Sequence, residues 1–206
     1  MLEAAFWCAA GLLAGPVAAW AARRVPAVKR AAPLGPWAHG LILPFVALMR
    51  GAVTPREFGL SGHAGQDWLI GSLFAGALVA AGAVMALRRR TYGWERLDPV
   101  DAVLDEGRWG LYRAWGVAWT SARLPGAAVG LALVLLEGFL RSGGSVRPRA
   151  WAAANPLALL RPASSFLFFI LTGNAWLTAI GQTALILAAG VLSGRRRDTG
   201  SASTVP

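Results

Sequence analysis

Apolar residues in this chain gather into long runs, with charge confined mostly to the segments between them. Residues 4–22, 31–49, 68–87, 125–141 and 175–192 are each close to the twenty or so apolar helical residues that a bilayer core requires. The run at 68–87 is the clearest, and Arg88, Arg89 and Arg90 end it. A further stretch, 151–171, is apolar but interrupted by Pro156, Arg161 and Pro162. The pattern predicts an all-α fold, a polytopic transmembrane helix bundle of five or six spans, the sixth depending on whether 151–171 crosses completely. Residues 1–192 form the transmembrane domain, and 193–206 a polar tail whose composition predicts disorder.

The intervening segments read differently from one another. Residues 50–67 form a polar connector, and Thr172-Gly173-Asn174 is a turn signal. In 91–123, Asp98, Asp101, Asp105 and Glu106 alternate with apolar residues, which predicts a solvated helix face. Trp109, Trp115 and Trp119, with Arg108, Arg113 and Arg123, then predict an interfacial helix lying on the cytoplasmic side.

Composition agrees with a membrane protein. The chain has 206 residues, 56% hydrophobic and 15% charged, where a soluble domain carries about a quarter charged. The net charge of +10 comes from arginines placed between apolar runs, so it fits membrane orientation better than nucleic-acid binding, and no nucleic-acid partner is expected. Basic residues follow the first run (Arg23, Arg24, Lys29, Arg30), the third, and the last (Arg195, Arg196, Arg197). The positive-inside rule then places the N-terminus outside and the C-terminal tail in the cytoplasm. The near-exclusive use of Arg over Lys suggests a bacterial gene, and hence a multi-pass protein of the bacterial inner membrane. The first run lacks a basic n-region, so it reads as an uncleaved helix. The single cysteine, Cys8, excludes an internal disulfide and a cysteine-based zinc site. His39 reads as a packed residue and His63 as a solvated loop residue. Neither has a second histidine nearby, so no metal or cofactor is expected.

The candidate chemistry centres on Glu137, the one ionisable residue inside the run from Pro125 to Leu140. A charge at a helix centre in a bilayer costs about 2.5–3.5 kcal/mol on insertion scales, so such residues face a protein interior or a wet cavity. Arg141 follows one helical turn later, on the same face, where it can pair with the acid. Zinc-peptidase, Walker, Rossmann and nucleophile-elbow motifs do not occur. A transporter would need more intramembrane polar groups than these runs supply.

Three separated pieces carry a family resemblance. Glu57-Phe-Gly-Leu60 with Asp67-Trp68 and the helix that follows, Leu136-Glu137-Gly-Phe-Leu-Arg141, and Leu171-Thr-Gly-Asn-Ala-Trp-Leu-Thr-Ala-Ile-Gly181 are together similar to the CPBP family. These are the CAAX-protease and bacteriocin-processing intramembrane proteins, and the resemblance covers roughly residues 50–192. It implies a membrane peptidase in which a carboxylate activates water while His or Asn groups stabilise the oxyanion. Carried onto this sequence, the site positions are Glu137, Arg141, Asn155 and Thr183. Leu136 stands where the family has its first glutamate, Asn155 and Thr183 stand where it has histidines, and Leu187 stands where it has Asn or Asp. Three readings follow: a catalytically degraded relative that acts by binding other membrane proteins, a divergent but active intramembrane protease with Glu137 as base, or an unrelated small membrane protein in which Glu137–Arg141 is a structural pair. The expected partners are the lipid bilayer and another membrane protein or a membrane-bound substrate.

Overall fold

The computed structural model describes residues 2–22, 24–31, 34–62, 64–88, 98–141 and 156–201, and every regular element among them is helical. In chain order these are α1 (Leu2–Ala22), α2 (Pro26–Ala31), α3 (Gly35–Met49), α4 (Pro55–Phe58), α5 (Gly65–Arg88), α6 (Pro99–Thr120), α7 (Arg123–Arg141), α8 (Pro156–Thr172) and α9 (Ala175–Ser201). Within α3, Ala38–Ile42 widens into a π-helical turn.

Local chemistry sets the boundaries. Asp98 caps α6, its Oδ1 accepting from the Val100 N–H at 2.9 Å, and Pro99 occupies the first helical position, where its missing N–H costs nothing. Thr54 and Glu57 close a reciprocal capping box on α4, satisfying two otherwise orphaned donors. Gly173, at φ +65, turns the chain out of α8. The Asn174 side chain then accepts from the N–H groups of Trp176 and Leu177 at 3.0 and 3.2 Å, starting α9. The expected Thr-Gly-Asn turn is present.

α6 is the centre of the bundle, packed by α1, α3, α4, α7 and α9. This corrects the expectation of a solvated, interfacial helix: Leu111, Tyr112 and Ala114 are 0% exposed, and Glu106 and Arg113 are buried with them. Of the four acids, Asp98 and Asp101 at the start of the helix are exposed as expected, whereas Asp105 and Glu106 turn inward and pair with Arg108 and Arg113 within α6 and, for Asp105, with Arg161 of α8.

The helices run back and forth between two ends. At one end, Arg50 meets Glu3 at 3.3 Å, the Gly59 carbonyl accepts from the Ala175 N–H at 2.8 Å, and Gly173 lies against Arg123. The N-terminus, the 50–62 connector, the α6–α7 turn and the α8–α9 turn are thereby gathered together. Near the other end, Arg161 at the start of α8 pairs with Asp105 in the first half of α6 at 2.8 Å.

Among the described residues, Arg123–Leu140 is the one helical stretch long and apolar enough to cross a membrane by length and composition, and Leu2–Ala18, Gly35–Met49, Leu160–Thr172 and Ala175–Ala188 are shorter apolar stretches. α6 has the length, 22 residues or roughly 33 Å of helix, but its charged residues keep it from being an apolar span. Of the stretch at 151–171, the described part begins at Pro156 and is helical throughout, Pro162 included.

Candidate functional site

Glu137 stands 2% exposed on the inward face of α7. Its Oε2 accepts from the Tyr112 hydroxyl at 3.2 Å and lies 3.1 Å from Arg108 Nε in an ion pair. Its Oε1 is 3.9 Å from His39 Nδ1. Three elements build this arrangement. The hairpin of α6 and α7 faces Arg108 and Tyr112 toward Glu137, and the π-helical turn of α3 brings in His39. The other nitrogen of His39, Nε2, hydrogen-bonds the Gly11 carbonyl on α1. Gly11 also lies directly against the Tyr112 ring, so a small residue lets α1 close over the group.

The charge does not stop there. Arg108 Nη2 donates to Asp105 Oδ1 at 2.6 Å, and Asp105 Oδ2 receives Arg161 of α8 at 2.8 Å. Beside this relay, Arg113 pairs with Glu106 and donates to Ser165, and the Ser165 hydroxyl donates to the other oxygen of Glu106 at 2.8 Å. The Arg161 carbonyl accepts from Gln182 Nε2 at 2.9 Å and from Ser164 Oγ at 2.8 Å. Arg113 also lies over the Phe169 ring, 4.7 Å from its centroid. Three carboxylates (Asp105, Glu106, Glu137) thus face three guanidinium groups (Arg108, Arg113, Arg161), drawn from α6, α7 and α8. In a low-dielectric interior, balanced pairing of this kind is what makes the burial of Glu106, Arg113, Glu137 and Arg161, and the partial burial of Asp105 and Arg108, tolerable.

The positions expected from sequence separate. Glu137 is at the centre. Arg141 is the last residue of α7, but its side chain lies outside the described residues; among the described residues, Arg108 on the neighbouring helix faces Glu137. Asn155 lies outside the described residues, as does His63. Thr183 is half-buried on α9, whose main packing partners are α5, α6 and α8. Leu136 is 42% exposed, so a glutamate in that register would face outward, away from the buried carboxylate. Cys8 is buried, in keeping with its expected packing role. Two pieces of the family resemblance, Glu57–Leu60 and Thr172–Gly181, meet through the Gly59–Ala175 hydrogen bond and a 3.4 Å contact from Trp176 Nε1 to the Leu60 carbonyl.

The sequence reading missed Asp105, Glu106, Arg108, Arg113, Arg161 and the approach of His39. A signal was present: Asp105 and Arg108 are three residues apart and Glu106 and Arg113 seven apart, spacings that keep opposite charges on one helix face. The interior also holds more polar groups than the apolar runs alone supply, among them Glu106, Arg113, Arg161 and Gln182. Among the described residues there is no cluster of three or more His, Cys, Asp or Glu side chains that could hold a metal ion. No family model matches the chain, and neither a curated protein nor a solved structure matches it.

Proposed function

We propose that this chain is a polytopic inner-membrane protein that works by binding another membrane protein, with its charged interior serving to hold the bundle rather than to hydrolyse peptides. The observation that carries the reading is the inverted distribution of polarity. Leu2, Phe6, Leu13, Leu69, Leu73, Phe139 and Ile180 point outward and are exposed, while Glu106, Arg113, Glu137 and Gln182 are buried. A soluble protein of this size avoids so large an apolar exterior, whereas a lipid-facing one requires it.

Orientation follows from charge. The end that gathers Glu3, Arg50, Arg56 and Arg123 carries few cations. In sequence, the segments after α1, α5, α7 and the apolar part of α9 carry Arg23, Arg24, Lys29 and Arg30, then Arg88, Arg89, Arg90 and Arg96, then Arg141, Arg147 and Arg149, and finally Arg195, Arg196 and Arg197. This asymmetry supports a cytoplasmic C-terminal tail and an external N-terminus. With α6 inside the bundle, α1, α3, α5, α6, α7, α8 and α9 alternate in direction as seven passes, one or two more than the apolar runs alone predict.

Glu137 Oε2 is held by Tyr112 and Arg108, and Oε1 lies 3.9 Å from His39 Nδ1. A general base must offer a lone pair to water, and at 2% exposure the carboxylate is shut away from it. Within the CPBP resemblance this favours the degraded, partner-binding reading. The second reading, an active protease, has one observation in its favour: His39, 3.9 Å away, supplies an imidazole that the family pattern lacks at its own positions. Glu137→Gln separates the two. At matched amounts in membranes, proximity crosslinking and co-purification are expected to recover the same stable partner from wild type and variant. An unprocessed substrate accumulating only with Glu137→Gln would establish the protease instead.

A further inference from the structure

Away from Glu137, at the end where the connector meets the helix turns, lies a cavity of about 190 Å³ lined by Arg56, Glu57, Gly62, Val117, Arg123 and Phe169, among others. The geometry points to a binding site here for a phosphate group carrying an apolar substituent.

Charge is the first reason. Arg56 and Arg123 both line the cavity, and among the described residues neither is ion-paired with a carboxylate. They contrast with Arg108, Arg113 and Arg161, each of which is matched to an acid. The one acid in the lining, Glu57, is committed to the capping box, its Oε2 accepting from the Thr54 N–H at 2.7 Å. The cavity therefore presents two forked cationic donors of the kind that read phosphate oxygens, against one carboxylate already engaged.

Placement of the donors is the second reason. Gly173, at φ +65, lies so close to Arg123 that a Cβ there would sit 2.9 Å from the guanidinium carbon. The turn that ends α8 thus seats the head of Arg123 at the cavity wall. The third reason is that Val117 and Phe169, also in the lining, are apolar and suit an organic substituent better than a fully hydrated inorganic ion. A lipid headgroup and a soluble phosphate ester share this chemistry. The site does not depend on how Glu137 is used.

The test uses the full chain in nonionic detergent, with native mass spectrometry reading retention of dioleoylphosphatidylglycerol and, separately, of monobutyl phosphate, a soluble ester with an apolar substituent. Wild type is expected to retain at least one of them, and the outcome identifies the source: lipid if only phosphatidylglycerol binds, a soluble ester if monobutyl phosphate binds, alone or as well. Arg56→Gln and Arg123→Gln are each expected to weaken retention by about tenfold, while the Lys replacements keep part of it. Ser61→Trp, at an exposed lining position, fills the cavity with both arginines in place and is expected to abolish retention, so the result does not hinge on the folding of the charge variants. Retention by none of these preparations, or equal retention by wild type, the double Gln variant and Ser61→Trp, overturns the proposal.

Discussion

Arg113→Ala is expected to cost about 3–5 kcal/mol of stability, among the largest effects of any single side chain in this protein. Arg113 is 3% exposed, pairs with Glu106, donates to Ser165 and covers the Phe169 ring. Truncating it strands the Glu106 carboxylate inside the bundle with only the Ser165 hydroxyl for company. The cost is therefore the penalty of an unmatched charge more than the loss of an attraction. This makes a second result expected: adding Glu106→Gln to Arg113→Ala recovers part of the loss, because the stranded group is then neutral. Unfolding of the purified protein in mixed detergent, followed by tryptophan fluorescence, measures both. If Arg113→Ala unfolds with the wild type, the ion pair does not hold the bundle. If the double variant loses the sum of the two single losses, the two groups are not coupled.

Gly107→Val is expected to be comparably damaging, for a steric reason. A Cβ on Gly107 would run into the Gly40 carbonyl, and a Cβ on Gly40 would run into the backbone at Leu104. Here α3 and α6 touch backbone to backbone, as small residues permit in helix pairs. Overpacking such a contact costs about 1–3 kcal/mol and sometimes more. Gly40 adjoins His39, so prising α3 away from α6 also withdraws the imidazole from Glu137. Gly107→Ala is expected to fall between wild type and Val. The same unfolding assay ranks the three, and a Val variant as stable as wild type would show that the helices do not approach here.

These two effects mark where the sequence was easy and hard to read. The helices over the apolar runs were legible because sustained hydrophobicity is a composition signal that needs no knowledge of neighbours. Glu137 was legible for the same reason, as a lone charge in an apolar run. Arg108 was not legible as a partner, because the α6–α7 hairpin delivers it from another helix, whereas the local candidate, Arg141, has its side chain outside the described residues. The segment holding Asp105, Glu106, Arg108 and Arg113 looked solvated because charged helix faces usually seek water. In this bundle the apolar surface is outside and the charged face turns inward, so the familiar amphipathic rule points the wrong way. His39 could be read as packed, but its proximity to Glu137 depends on a π-helical turn and on Gly11, neither of which carries a local signature. The Thr-Gly-Asn turn was legible because Gly173 and Asn174 perform it with their own backbone and side chain.

The placement of α6 as a crossing helix with its charges buried is the claim on which the rest depends, and cysteine accessibility tests it most directly. On a Cys8→Ser background, single cysteines at Ser121, in the α6–α7 turn, and at Thr199, in the C-terminal segment, would be labelled with a membrane-impermeant maleimide in spheroplasts before and after permeabilisation. The expected result is labelling of Ser121→Cys in intact spheroplasts and of Thr199→Cys only after permeabilisation. Protection of both positions until permeabilisation would return α6 to the cytoplasmic surface and contradict the seven-pass, charge-cored bundle.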